Sequence, residues 1–250
     1  METDAAGRSP PYPAEVRLAW RRVPEIRLLR HGETAGYTGD LGLSDRGHEQ
    51  ARAAAKALAG EAHGTLNLLH APSVRARVTA EVLAQELTAA GVELTGPRPE
   101  RGFANFTVAA GGEVREQAEV FGEYADAGDT RPSELPGWLA DLARFRSVHV
   151  SGGDPIELWL KTPLLGFEPP SVAVRRHWRA IVAQDAELTV VAAHSGPMRA
   201  LVAHAFGRDL GEPDNLEAVR IRRDGDRARV DYRGECAAIA VPDTAEPAWW

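Results

Sequence analysis

Several features that define common protein classes are scarce or absent in this sequence. Its 250 residues contain a single cysteine, Cys236, which excludes an internal disulfide and any cysteine-based metal framework. No apolar run is long enough to span a bilayer, and the proline-containing first 24 residues lack the apolar core of a signal peptide. We therefore expect a protein of a reducing compartment, with the cytoplasm as the default location, and no membrane partner.

An excess of positive charge is also missing. The formal net charge is −7, so the chain has no basic field that would hold a nucleic-acid backbone, and we expect no nucleic-acid partner. Motifs for a phosphate-binding Gly-Lys loop, a dinucleotide fold or a His-Glu-x-x-His zinc site are absent as well. We expect neither a metal nor another cofactor, so a bound phosphate must be met by local side chains.

What the chain does contain is a repeated alternation of strand-like and helical segments. The β-like runs lie at 25–29, 66–69 and 188–193, and the helical patterns that follow or flank them at about 44–59, 74–90, 172–184 and 197–207. This alternation predicts an α/β fold, a three-layer sandwich with a mainly parallel central sheet and helices on both faces. Ligands then belong at the carboxyl ends of the strands.

The remaining segments complete the predicted organisation. Residues 1–24 are interpreted as a flexible N-terminal arm, and residues 25–250 as a single α/β domain. Between about 102 and 170 the alternation lapses, so we predict an inserted cap there. Three short strands are expected at 219–223, 228–232 and 237–241.

The end of the first strand carries the first group of candidate residues, Leu29-Arg30-His31-Gly32-Glu33-Thr34. A neutral His31 could attack phosphorus, and nearby arginines would oppose its protonation. Arg30 offers a planar fork of donors to phosphate oxygens, and Gly32 lets the backbone approach an oxyanion closely. Taken alone, an ordinary surface strand end explains this motif equally well.

Two further strand–helix junctions carry matching chemistry. Arg75 falls in the first turn of the helix after the second strand, and a second guanidinium is what phosphoryl transfer without a metal requires. Arg77 points elsewhere on that helix and is interpreted as a solvated charge. The third strand runs through His194-Ser195-Gly196 into a helix N-terminus, which favours anions. By itself, His194 is more typical of a structural histidine.

Together, these junctions resemble the histidine phosphatase superfamily, also called the phosphoglycerate mutase-like family. The family's Arg-His-Gly signature matches 30–32, its Arg-Ala-x-x-Thr-Ala segment matches 75–80, and its late His-x-Gly segment matches 194–196. The resemblance implies a phosphohistidine intermediate on His31 and a phosphate pocket formed by Arg30, Arg75 and His194. Thr34 would lie at the edge of that pocket and Ser195 would contribute to it.

The family also uses an acid to protonate the leaving oxygen. Its Glu-x-x-aromatic-Gly pattern corresponds to Glu100-Arg101-Gly102-Phe103-Ala104, where Ala104 replaces the usual glycine. We interpret Glu100 as the proton donor and Asp154, after Gly152-Gly153, as the second candidate. A donor should have a raised pKa.

The predicted function is metal-independent hydrolysis of a small-molecule phosphate monoester through His31. A phosphoglycerate mutase-type transfer and a non-catalytic phosphate-binding protein on the same fold are the alternatives, and a homodimer stays open. The acidic excess in the cap argues against the bisphosphate that a mutase must hold. Eight aromatic residues in the cap predict either an apolar substrate group beside the phosphate or simply a core of the cap itself: Phe103, Phe106, Phe121, Tyr124, Trp138, Phe145, Trp159 and Phe167.

Overall fold

The computed structural model of the chain describes residues 23–36, 40–117, 119–120 and 134–244. The strands in these ranges are β1 Glu25–Arg30, β2 Leu66–His70, β3 Leu94–Pro99, β4 Thr107–Ala110, β5 Glu113–Glu116, β6 Leu188–Ala193, β7 Ala218–Asp224, β8 Arg227–Tyr232 and β9 Glu235–Ala240. The α-helices are α1 Asp45–Glu61, α2 Val74–Ala89, α3 Gly137–Val150, α4 Pro155–Lys161, α5 Pro170–Val182 and α6 Ser195–Phe206. The predicted N-terminal arm lies almost wholly outside the described residues.

The main sheet has seven strands in the order β3-β2-β6-β1-β7-β8-β9. The first four are parallel to one another, and β7, β8 and β9 extend the sheet with antiparallel pairings. The predicted α/β class with a central parallel sheet is confirmed. The short C-terminal strands add an antiparallel edge to it, because tight turns such as that at Gly225, with φ of +59°, connect them.

Both faces of the central parallel strands β1, β2 and β6 are largely buried, whereas the edge strand β3 is mostly exposed. Leu28 and Val191 face one core, which contains Trp178 of α5 and Leu201 of α6. Their chain neighbours Leu29 and Val190 face a second core beneath α1 and α2. Successive side chains of a strand point to opposite faces, so a strand covered by helices on both sides buries apolar residues on both of its faces.

The helix boundaries follow from their caps. Ser44 caps α1 by accepting a hydrogen bond from the Gly47 N–H at 3.1 Å, as the sequence predicts. Gly60 does not stop this helix, which continues to Glu61. Helix α6 begins at Ser195, two residues before the predicted start at Pro197, and ends at Gly207 with φ of +69°. No helix of the described residues is long and apolar enough to cross a membrane.

The segment predicted as a cap contains the β4–β5 hairpin, α3 and α4. Its centre is a cluster of buried rings: Phe106 stacks on Trp159 with ring centroids 4.5 Å apart, and Phe145 packs against Phe167 at 5.3 Å. Most of the described cap aromatics therefore build this core. Two of the eight, Phe121 and Tyr124, lie outside the described residues.

Candidate active site

The three sequence motifs meet because β6 lies between β1 and β2. Arg30 of β1 is paired with Ala193 of β6, and the His31 N–H donates to the Ala193 carbonyl at 2.9 Å. This pairing sets the residues that follow the two strands side by side at the carboxyl edge of the sheet. The rings of His31 and His194 are 5.3 Å apart between centroids and inclined by 64°.

A cavity of about 390 Å³ opens at this edge. Its described lining includes five of the seven residues predicted for the site: Arg30, His31, Arg75, His194 and Ser195. Residues up to 184 positions apart come together at this edge, since Asn215 Nδ2 also donates to the His31 carbonyl at 2.8 Å. The volume of the cavity is typical of a site for a small molecule.

The protonation of His31 is defined by its surroundings. Its Nδ1 lies 2.8 Å from the Gly32 carbonyl oxygen, which can only accept, so Nδ1 carries the proton. Burial, followed by the nearby charges of Arg75 and Arg30, lowers the pKa of His31 to about 3. The ring is therefore neutral near pH 7, and Nε2 keeps an unshared electron pair. This is the state that a nucleophilic imidazole needs.

The structure adds a steric reason for glycine at position 32. A Cβ at this position would lie 2.7 Å from the Gly47 carbonyl oxygen, so the crowding comes from the start of α1. The Gly32 N–H donates to Thr79 Oγ1 at 3.0 Å, and Thr79 Oγ1 donates to the Arg75 carbonyl at 2.7 Å. Glycine thus lets the loop after β1 pack between α1 and α2, which fixes His31 relative to Arg75.

Arg75 is 6% exposed and is held by groups from three other segments. Its Nη1 donates to Asp40 Oδ1 at 3.0 Å, and its Nη2 donates to Glu116 Oε1 at 2.5 Å. The same Nη2 lies 3.3 Å from His194 Nδ1. Sequence reasoning assigned no role to Asp40 or Glu116, and no local pattern marks them, because only the folded chain brings these carboxylates to Arg75.

Arg30 is anchored by residues between α6 and β7. Its Nη1 donates to the Pro213 carbonyl at 2.6 Å and forms an ion pair with Glu212 Oε1 at 3.0 Å. Its Nε is buried and has no hydrogen-bond partner in the described structure. A buried guanidinium N–H without a partner is costly, and the Arg30 side chain lines the cavity.

His194 is the N-cap residue of α6 and is 2% exposed. Burial and the charge of Arg75 hold its pKa well below 6.5, so the ring is neutral. Because Arg75 can only donate, His194 Nδ1 accepts, and its Nε2 donates to Ser73 Oγ at 3.1 Å. In this arrangement His194 orients Arg75, and Ser195 and Gly196 supply the helix N-terminus at the cavity wall.

Two predicted site residues do not line the cavity. Thr34 Oγ1 donates to the Gly36 carbonyl at 2.8 Å, so the hydroxyl closes its own loop while Gly36 reaches the cavity. Glu100 caps the short 3-10 turn 101–103 by accepting from the Gly102 N–H at 2.9 Å. In Thr34 and in Glu100, a side-chain oxygen predicted to face the pocket instead forms a hydrogen bond with the nearby backbone.

The pKa values of two other carboxyls near the cavity, Glu116 and Asp154, are shifted in opposite directions. Burial raises the pKa of Glu116 and outweighs the opposing effect of Arg75. Burial also acts to raise the pKa of Asp154, but hydrogen bonds from Arg199 and from backbone N–H groups dominate, and the result is a lowered pKa. Asp154, which lines the cavity, is therefore held ionised and is poorly suited to donate a proton.

Arg77 pairs with Glu81 at 2.6 Å on the exposed face of α2, as expected of a solvated charge.

The described residues contain no group of three or more His, Cys, Asp or Glu side chains arranged to hold a metal ion. Instead, guanidinium groups, imidazoles and a helix N-terminus converge on one cavity. The fold and this cavity define an α/β protein with an arginine- and histidine-lined cavity at the carboxyl ends of parallel strands.

Comparison with known proteins supports the family resemblance. The family model described as histidine phosphatase superfamily (branch 1) matches residues 26–146. The matched segment contains the motifs at 30–32 and 75–80, so the match confirms the resemblance to this superfamily that the motifs predict. The comparison with curated proteins finds no match.

Several solved structures share the fold. A protein described as mycobacterial hydrolase 1 is 19% identical with a TM-score of 0.54, over 86% of this chain and 100% of its own. A mycobacterial glucosyl-3-phosphoglycerate phosphatase, in complex with VO3, is 20% identical with a TM-score of 0.54, over 84% of this chain and 98% of its own. A protein of Escherichia coli assigned as an alpha-ribazole-5'-P phosphatase is 16% identical with a TM-score of 0.50, over 90% and 99%. At these identities the likeness establishes the fold.

Proposed function

We propose that this protein hydrolyses a small-molecule phosphate monoester by transferring the phosphoryl group to His31 and then to water. One observation carries the proposal. The proton of His31 is fixed on Nδ1 by the Gly32 carbonyl, so Nε2 is unprotonated in a cavity that also exposes Arg30 and Arg75. A neutral nucleophile between two fixed cations suits attack on a phosphate dianion.

The proposed reaction has two steps. In the first, His31 Nε2 forms a bond to phosphorus while the bond from phosphorus to the ester oxygen breaks, and the departing alcohol oxygen takes a proton from a carboxylic acid. In the second, water attacks phosphorus, the bond to Nε2 breaks, and the proton of the water returns to the carboxylate. Arg30 and Arg75 hold the equatorial oxygens, whose negative charge persists throughout both steps.

Two carboxyls are candidates for the acid. Glu100 matches the family motif, and one of its oxygens caps the 101–103 turn. Glu116 contacts Arg75, and its Oε1 lies 4.0 Å from His194 Nε2. A raised pKa favours Glu116 as a proton source, whereas the motif favours Glu100.

The distribution of charge supports hydrolysis over a mutase reaction. Among the described cavity residues, Arg30 and Arg75 are the only arginines or lysines, and each is paired with a carboxylate. A mutase must hold a second phosphate and needs further cations for it. The phosphatase names of two structures with this fold are consistent with the choice of hydrolysis.

The experiment that tests this proposal is trapping of the phosphoenzyme. A phosphate monoester labelled with ³²P is mixed with the protein and quenched in alkali, where a bond between phosphorus and nitrogen survives. We expect label on His31, and we expect His31→Ala to lose both label and turnover while its circular dichroism spectrum stays unchanged. His204→Ala, at an exposed position on α6 outside the cavity, is the matched control and should retain both. Turnover by His31→Ala within about tenfold of the unaltered protein would refute the mechanism.

A further inference from the structure

The cavity divides into a charged end and an apolar wall. At the charged end lie His31, Arg30 and Arg75, and the apolar wall is built from Phe106, Phe145 and Ile156. Both phenylalanines are at most 1% exposed, and their rings contact each other with centroids 5.9 Å apart. The wall is therefore a fixed part of the cap core.

The apolar wall begins directly beside the proposed phosphate position. A Cβ added to Gly196, in the first turn of α6, would lie 2.8 Å from the ring of Phe106. The ring thus rests against the same helix N-terminus that supplies Ser195 to the charged end. A phosphate held there would place the first atoms of its alcohol group next to this wall, whose accessible apolar surface comes from the half-buried Ile156 in front of the two buried rings.

Among the described cavity residues, both arginines are already paired with carboxylates, and no lysine lines the cavity. The terminal nitrogens of Arg75 are paired with Asp40 and Glu116, and Arg30 is paired with Glu212. The other carboxylate of the cavity wall, Asp154, contacts Arg199 at 2.7 Å.

Arg199 does not add a free positive charge. It is 2% exposed and also binds Asp209 and Glu212, so three carboxylates surround one guanidinium. A second phosphate or a carboxylate on the substrate would face Asp154 and Glu212, and the described cavity residues include no arginine or lysine besides Arg30 and Arg75 to offset this negative charge.

We propose that the site takes a phosphate monoester whose alcohol part is uncharged and carries an apolar group close to the ester oxygen, and that it discriminates against substrates with a second anionic group. This inference rests on the proposed function for the identity of the reacting group. The inference has two grounds: the apolar wall that adjoins the N-terminus of α6, and the pairing of Arg30 and Arg75 with carboxylates. Both grounds concern binding and are independent of the chemical step.

Binding of non-hydrolysable phosphonates tests the inference separately from catalysis. Calorimetry with ethyl-, butyl-, hexyl- and 2-carboxyethylphosphonate compares chain length and charge on the same head group. Each buried methylene should tighten binding up to about fourfold, so we expect hexylphosphonate to bind at least about tenfold more tightly than ethylphosphonate. The carboxyethyl compound, close to butylphosphonate in length, should bind at least about tenfold more weakly than butylphosphonate.

Variants test whether the dependence of affinity on alkyl chain length arises at the apolar wall. Ile156→Asn should reduce the ratio of hexyl to ethyl affinity several-fold, because the half-buried Ile156 side chain lines the cavity without filling the centre of the cap core. Leu165→Asn is the matched control: Leu165 is 63% exposed and lies outside the cavity, so the ratio should stay as in the unaltered protein. An unchanged ratio in Ile156→Asn would overturn the assignment of the apolar wall.

Hydrolysis then separates the two proposals. We expect a higher kcat/KM for hexyl phosphate than for 3-phosphoglycerate. Turnover of both with a preference for 3-phosphoglycerate overturns the inference and leaves the phosphatase intact. Phosphonates that bind in the expected order, without turnover of any monoester, refute the proposed function and support the inference about binding.

Discussion

The buried histidine of α5 makes the pH dependence of stability a quantitative test of the structure. His177 is 0% exposed, its Nδ1 lies 3.0 Å from the Ala173 carbonyl, and its buried Nε2 has no hydrogen-bond partner within the part of the chain that the structure describes. Its ring packs edge-on against Phe103 with centroids 5.6 Å apart. Burial, and secondarily the charge of Arg176, lowers the pKa of His177 from 6.5 to about 3.

The sign and size of the effect follow from this pKa. As the pH falls from 7 to 5, the unfolded chain takes up a proton at this histidine and the folded protein does not, so stability is lost. With pKa values of 6.5 and about 3 in the unfolded and folded states, the loss at His177 is about 2 kcal/mol over this interval. His31 and His194 have lowered pKa values and act in the same direction.

The perturbation is His177→Leu, and the assay is urea unfolding at pH 7 and pH 5, followed by tryptophan fluorescence and circular dichroism. The free energy of unfolding of the unaltered protein should fall more between the two pH values than that of the variant, by about 2 kcal/mol. Any change in packing appears at both pH values and cancels in this difference.

Trp178→Phe is the control, since Trp178 is also 0% exposed on α5 and carries no group that titrates in this range. Its pH difference should equal that of the unaltered protein. The reasoning is refuted if His177→Leu loses as much stability between pH 7 and pH 5 as the unaltered protein does.

Two further predictions concern the chemistry. Full activity is expected in excess EDTA, because Arg30 and Arg75 supply the positive charge at the phosphate; an activity that falls and returns with a divalent ion would contradict this. The variants Glu100→Gln and Glu116→Gln identify the proton donor. The variant that removes it should slow hydrolysis of an alkyl phosphate by about a hundredfold or more. The same variant should largely spare p-nitrophenyl phosphate, because that leaving group departs without protonation. Equal losses on both substrates, in both variants, would show that neither residue is the donor.

Much of this protein follows from local sequence. The apolar runs of β1, β2 and β6, and the caps at Ser44 and Ser73, depend on burial and on hydrogen bonds between near neighbours, which a sequence pattern expresses directly. Parallel strands also align their carboxyl ends, so the meeting of His31 with His194 could be expected once the α/β alternation was recognised.

The tertiary structure alone decided which groups surround those residues. Asp40 and Glu116 reach Arg75 from segments 35 and 41 residues away, and no periodic pattern records an ion pair between distant loops. Glu100 was assigned from its motif, yet its oxygen caps a turn that forms only where β3 ends. The need for glycine at position 32 arises from the Gly47 carbonyl of α1, a contact that exists only after the loop packs on the helix. Local sequence determines the elements and the order of reactive side chains, whereas the neighbours that set their charge and position come from packing between segments far apart in the chain.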